Sequence, residues 1–192
     1  RSIVTVENIA LFIFCGFLSG ISNKGGEFRE LVFQDIGIAI SLFGVILALS
    51  SLAGAVMGWY VHILDRLKPL AFYMLDLTII AISLAGIGLT TNQYIAVGAF
   101  TLFAGYTRVR MIIFQSKMLT EIKHTYKATL ISALNLFVLF GDILAISLIT
   151  HFVTASGYQS GYVLFACAVF AIGTLLWLLI LIEHKYRSLR RI

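Results

Sequence analysis

Four ionisable side chains interrupt stretches of sequence that are otherwise apolar: Asp76, Arg108, Arg110 and Asp142. A carboxylate in apolar surroundings can hold a proton, and an arginine there can bind a carboxylate or phosphate through two parallel hydrogen bonds. Catalytic and metal-binding patterns such as G-x-S-x-G, H-E-x-x-H or a His/Cys/carboxylate cluster do not occur in the sequence. We therefore consider all four as candidates for a binding, ion-coupling or structural role, and we expect no enzyme activity, no cofactor and no metal.

The composition indicates that these charges belong to a membrane protein. Of the 192 residues, 60% are hydrophobic and 12% are charged, and the mean hydropathy is +0.99, whereas a soluble domain carries about 25% charged residues. A soluble domain of this size buries only about 70% of the surface that its unfolded chain exposes. Because it could not hide this much apolar surface from water, we infer that the chain lies in a lipid bilayer.

Six apolar stretches have the length, or nearly the length, of a membrane-spanning helix, which is about 20 residues. They cover residues 6–22, 36–64, 70–89, 94–116, 128–152 and 161–182. The polar segment 24–30 is expected to end the first helix, and no stretch has the pattern of a strand. The sequence therefore predicts an all-α integral membrane protein, a single bundle of six transmembrane helices.

The basic residues outside the apolar stretches are distributed unevenly. Apart from Lys24 and Arg29, they fall at the two termini and in the loops 65–69 and 117–127, which lie on one side of the predicted membrane. Because Lys and Arg mark the cytoplasmic side, we expect a multi-pass protein with both termini in the cytoplasm, in a bacterial inner or plasma membrane. These basic ends lack the interleaved aromatic residues of a nucleic-acid-binding surface, so no nucleic-acid partner is expected.

The two arginines of the fourth stretch are expected to play different roles. They are two positions apart and therefore point about 200° apart around a helix. Arg108 shares a stripe with Thr101 and Gln115, all polar and at seven-residue spacing, and we expect this stripe to face a water-filled cavity. Arg110 is expected to extend to the membrane surface or to bind a carbonyl or an acid.

The two acids are also expected to differ. Asp142 lies in the middle of the fifth stretch, on a stripe with Asn135. Two interpretations stay open: Asp142 pairs with Arg108 and joins the fourth and fifth helices, or it is a carboxylate linked to proton or substrate binding. Asp76 follows Pro69 by seven residues, so we expect it near the cytoplasmic third of its helix, where it would stabilise a neighbouring helix end or loop.

Two glycine pairs have the spacing that allows membrane helices to approach closely. Gly16-x-x-x-Gly20 lies in the first stretch and Gly54-x-x-x-Gly58 in the second. Small residues four apart let helix backbones pack together in lipid. We expect both pairs to pack against other helices of the same chain rather than against a second molecule.

Three segments carry a family resemblance. Residues 39–70 read AISLFGVILALSSLAGAVMGWYVHILDRLKPL, with Asp65-Arg66-Leu67-Lys68 near the end, and residues 127–132 read KATLIS. The first segment resembles the eighth helix and cytoplasmic loop of major facilitator superfamily transporters, whose loop signature is G-x-x-x-D-R/K-x-G-x-R/K. The second is similar to the R-A-T-x-x-S that opens their eleventh helix, and residues 157–181 with the basic tail resemble the twelfth. Val61 stands where the loop signature has Gly.

The resemblance covers nearly the whole chain and implies the C-terminal half of a twelve-helix transporter, built from two inverted three-helix units at about 1–92 and 93–192. It implies secondary active transport of a small solute by alternating access, coupled to protons or another ion, with the N-terminal six-helix half as partner. Arg108 would favour an anionic solute. The remaining substrate-binding or coupling residues would be Asp142, Asn135, Gln115 and Thr101, and the gating loop would contain Asp65, Arg66 and Lys68.

Two other classes of function fit part of the sequence pattern. A structural or channel-like protein with six helices fits the same topology, but it leaves Arg108 and Asp142 less explained. A membrane-embedded enzyme is the least favoured class, because no catalytic motif accompanies the charges.

Overall fold

A computed structural model describes residues 6–119 and 127–189, and these parts of the chain are helical without strands. The helices are α1 (Val6–Glu27), α2 (Arg29–Asp35), α3 (Phe43–Trp59), α4 (Val61–Asp65), α5 (Pro69–Leu89), α6 (Gln93–Leu119), α7 (Lys127–Ser156) and α8 (Tyr158–Leu189). Six helical segments are long and apolar enough to cross a membrane, with α1 and α2 counted as one segment. The prediction of an all-α chain with six such segments is confirmed for the described residues.

The end of the first helix differs from the prediction. The helix α1 continues through the polar residues to Glu27, where Lys24 and Glu27 form an ion pair of 2.8 Å across one turn. Gly25 and Gly26 are buried, so this polar stretch is part of the bundle and not a loop. The helix does end within the predicted segment 24–30, between Glu27 and Arg29. It nevertheless continues beyond the predicted span 6–22, because the charged side chains pair along the helix while the glycines pack inward.

The second predicted stretch is divided into shorter elements. After Gly37, which adopts a positive φ of 82°, the chain passes through a short 3-10 turn at Ile40–Leu42 and enters α3. The helix ends at Trp59, and the single turn of α4 follows. The helix predicted over 36–64 is therefore shorter, because the turn after α2 and the 3-10 turn take up residues 36–42 and α3 ends at Trp59. Phe33 of α2 contacts Phe100, with ring centroids 5.7 Å apart.

The long helices form two layers. Extensive contacts join α7 to α1 and α6 to α3, and α1 and α6 also touch, so these four helices lie side by side in the order α7, α1, α6, α3. We name them the front layer. The helices α8 and α5 pack against each other and form the back layer, in which α8 contacts α7 and α1, and α5 contacts α6.

Glycines allow the closest approaches within the front layer. A Cβ atom at Gly16 or Gly20 would overlap the backbone of α7, and one at Gly141 would overlap the backbone of α1. The first predicted glycine pair therefore packs within the chain, as expected. In the second pair only Gly54 does so, against Gly105 of α6, because Gly58 has no neighbour within 4 Å of such a Cβ.

Candidate functional site

A buried ion pair connects the two layers. Asp76 of α5 and Arg110 of α6 have side chains that are 0% and 1% exposed, and Nη2 of Arg110 lies 2.6 Å from Oδ2 of Asp76. Nε of Arg110 donates a second hydrogen bond of 2.7 Å to Oδ1. The guanidinium and the carboxylate therefore meet through two parallel hydrogen bonds, the strongest arrangement available to these groups.

Two hydroxyl groups complete this arrangement. The Tyr106 hydroxyl donates to Oδ1 of Asp76 at 2.9 Å, and Nη1 of Arg110 donates to Oγ of Ser19 on α1 at 3.2 Å. We name Asp76, Arg110, Tyr106 and Ser19 the buried network. Its charges cancel and its polar atoms have partners inside the bundle, so the network has the character of a structural connection and not of a solute site.

The buried network corrects one prediction and decides another. Asp76 does not stabilise a helix end or a loop, because α6 covers it and supplies its partners. Arg110 does not extend to the membrane surface; of the predicted alternatives, the bond to an acid is the one formed. The helices α5 and α6 are neighbours because only residues 90–92 separate them, and this places the two charges at similar depth.

Arg108 lies on the opposite side of α6 from Arg110. Its side chain is exposed, and a Cβ at Gly54 of α3 would lie 3.0 Å from its Cδ, so the stem of Arg108 crosses the glycine of the neighbouring helix. None of the ion pairs in the described parts of the chain includes Arg108. Thr101 is half-buried on the same helix, and the side chain of Gln115 lies outside the described residues.

Asp142 is half-buried on α7 and is bonded across the front layer. Its Oδ1 accepts a hydrogen bond of 3.3 Å from Nδ2 of Asn23 on α1. The predicted alternative in which Asp142 pairs with Arg108 is not formed, because α1 lies between α7 and α6. Asn135, two turns earlier on α7, is exposed.

The predicted gating loop lies at the end of the bundle. Asp65 is the last residue of α4, Arg66 and Lys68 follow it in the turn, and Pro69 begins α5. All three charged residues are exposed. Proline at the first helical position starts α5 without loss of a hydrogen bond. The gating role of the loop stays a prediction.

Sequence reasoning missed three members of the site, namely Ser19, Tyr106 and Asn23. One usable signal was present: Asp76 and Arg110 flank the same short loop, and helical rise places them about 20 Å and about 26 Å from it. Long side chains can bridge that difference, so an ion pair between adjacent helices could have been predicted. Tyr106 precedes Arg110 by four residues and therefore lies on the same face of α6.

No protein-family model, curated protein or solved structure matches this chain. Within the described ranges, no group of three His, Cys, Asp or Glu side chains is placed to hold a metal ion. In its described residues, the bundle of membrane-length helices contains the neutral buried network, and Arg108 and Asp142 lie on its front layer outside any ion pair.

Proposed function

We propose that the chain is one half of a secondary active transporter resembling the major facilitator superfamily, which moves a small solute by alternating access with coupling to protons or another ion. The observation that carries this proposal is the pair of charges on the front layer, Arg108 and Asp142. Neither forms an ion pair among the described residues, with Lys24 acting on Asp142 only through a longer-range electrostatic interaction, and both lie within membrane-length helical segments.

Their depth can be estimated from the helical rise. Arg108 is ~9 Å from the end of its membrane-length segment at Phe114, and Asp142 is ~16 Å from the nearer end of its segment at Ile131. A bare charge at the centre of a lipid bilayer costs at least ~2.5 kcal/mol. Contact with water, with a solute or with a second protein surface avoids this cost, and a transport cavity between two halves provides all of these.

The pairing of the helices supports two related three-helix units. The exchange to consider replaces the first span (α1) by the fourth (α6), the second (α3) by the fifth (α7) and the third (α5) by the sixth (α8), and the reverse. Under this exchange the α1–α7 contact becomes the α6–α3 contact. The α5–α6 contact likewise becomes the α8–α1 contact, and α5–α8 becomes itself, whereas the extensive α7–α8 contact has no counterpart of similar size between α3 and α5. Inverted repeats related by a two-fold axis give this kind of pattern. Glycines also lie at both exchanged contacts, Gly20 with Gly141 and Gly105 with Gly54.

In this proposal the front layer faces the N-terminal six-helix half, and the solute binds between them. Arg108 supplies the fork that binds a carboxylate or phosphate group of an anionic solute. Asp142, held by Asn23, is the coupling carboxylate, while Asn135 and Thr101 line the same side. Both termini and the loop with Asp65 are cytoplasmic, and the loop stabilises one closed state of that side.

The experiment is uptake of small anions into proteoliposomes that contain the complete protein, under an imposed proton gradient. A panel of mono- and dicarboxylates and inorganic phosphate is used as the probe. We expect Arg108→Ala to abolish uptake and Arg108→Lys to raise the KM, because lysine keeps the charge but lacks the fork. The matched control is Ile112→Ala, an exposed position one turn away on α6. Equal uptake by wild type and Arg108→Ala, at equal incorporation, would contradict the proposal.

A further inference from the structure

The buried network holds α6 at two successive turns. Tyr106 and Arg110 are four residues apart, and both donate hydrogen bonds to the same carboxylate oxygen of Asp76. Arg110 also reaches Ser19 of α1. Because residues four apart lie one above the other on a helix, these bonds hold one stripe of α6 toward α5 and oppose rotation of α6 about its own axis.

The apolar residues of α6 cannot fix this rotation by themselves. Lipid tails are as apolar as a protein core, so helices in a membrane have little hydrophobic preference for one face over another. The exposed side of α6 illustrates this, since Ile95, Leu102 and Ile112 lie on it with exposures of 57–60%. Directional polar bonds and close glycine contacts must therefore select the rotation.

The position of Arg108 depends on that selection. It is two residues from both Tyr106 and Arg110, and therefore points about 200° away from each. With the stripe of the network held against α5, Arg108 is directed to the front layer, where its stem crosses Gly54. Rotation of α6 by one residue, about 100°, would turn Arg108 away from this place.

We propose that Asp76, Arg110 and Tyr106 are positioning residues, whose buried hydrogen bonds set the rotation of α6 and so direct Arg108 to the front layer. This role needs only the placement of Arg108, and it holds whether or not the protein transports anions. Buried polar groups that select one arrangement among several are known from other helical assemblies.

Disulfide cross-linking in membranes tests the placement directly. In the full chain with Cys15 and Cys167 replaced by alanine, Gly54→Cys and Arg108→Cys report the contact between α3 and α6. In a matched control, Asn23→Cys and Asp142→Cys report the contact between α1 and α7. In the wild type, Nδ2 of Asn23 lies 3.3 Å from Oδ1 of Asp142. Both cross-links are measured with the buried network intact and after it is removed.

Removal uses the variant Asp76→Leu/Arg110→Met/Tyr106→Phe, which replaces the bonded groups by apolar ones and leaves no buried charge. We expect the 54–108 cross-link to be largely lost and the 23–142 cross-link to persist. If both persist, the network does not set the rotation. If no 54–108 cross-link forms even with the network intact, the placement of Arg108 is wrong. Either result overturns the proposal.

A milder variant decides the case in which the apolar variant does not fold and both cross-links disappear. Tyr106→Phe removes a single hydrogen bond at one turn of α6 and keeps the ion pair. We expect it to slow formation of the 54–108 cross-link and to leave the 23–142 cross-link unchanged. Equal rates in Tyr106→Phe and wild type would then refute the positioning role.

Discussion

Removal of one partner of the buried ion pair should destabilise the protein far more than removal of both. In Arg110→Met the carboxylate of Asp76 stays fully buried and keeps only the hydrogen bond from Tyr106. An uncompensated buried charge of this kind costs about 3–5 kcal/mol. Since 1 kcal/mol shifts the unfolding temperature of a chain of this size by roughly 2–4 °C, we expect a decrease of about 6–20 °C.

The apolar variant Asp76→Leu/Arg110→Met/Tyr106→Phe should recover the whole of this loss. It leaves neither a buried charge nor a tyrosine hydroxyl without an acceptor, and replacement of a buried pair by apolar residues is often neutral or stabilising by about 1–4 kcal/mol. The expected unfolding temperature of the apolar variant therefore lies at or above that of the wild type.

The assay is thermal unfolding of the purified protein in one detergent, followed by helix content and by the loss of folded protein on size-exclusion chromatography. Asp76→Leu, Arg110→Met and the apolar variant are compared with the wild type at equal concentration. An unfolding temperature of Arg110→Met within the error of the wild type would refute the reasoning, because it would mean that water or another group compensates Asp76. A further decrease in the apolar variant would show that the network stabilises the bundle beyond compensation of its own charges.

Two further predictions concern single contacts. Gly20→Ala should lower stability by about 1–3 kcal/mol or more, because the added Cβ overlaps the backbone of α7, whereas Gly58→Ala has free space and should not; thermal unfolding compares the two, and equal effects would contradict the close packing. Tyr162→Phe should cost about 1 kcal/mol, because its buried hydroxyl donates to the carbonyl of Gly25 at 2.8 Å; the exposed Tyr158→Phe is the control, and a loss of equal size there would contradict the assignment.

The helices could be predicted from the sequence because the membrane imposes their length and composition. Residues 70–89 and 94–116 were placed within a few residues of α5 and α6, since apolar stretches of this length have few other structures available in lipid. The continuation of α1 through Lys24 and Glu27 could not be predicted in the same way. It depends on the Lys24–Glu27 ion pair and on the burial of Gly25 and Gly26 by other helices. A hydropathy profile reports neither of these contacts.

The partners of the charges were harder to predict than their depth. The heptad stripe correctly separated Arg108 from Arg110, because helix geometry alone sets the angle between them. The acid that Arg110 binds depends on which helices are neighbours, and the short loop between α5 and α6 was the signal that brings Asp76 within its reach. The role given to Asp76 failed because that signal was not used, and Asn23 was overlooked because it lies next to a polar segment that hydropathy assigns to a loop.

The two arginines of α6 separate the proposed transport role from a purely structural one. If charges in this bundle served only to hold helices together, Arg108 and Asp142 would be expected to pair as Arg110 and Asp76 do. Instead α1 lies between them, and Asp142 binds the neutral amide of Asn23. Arg110 thus forms an ion pair inside the bundle, whereas Arg108 lies on the front layer and forms no ion pair with the described residues. A charged group that costs free energy in lipid and forms no ion pair within the described bundle is expected to meet water or a partner from outside it, and an anionic solute between two halves is the partner that we propose.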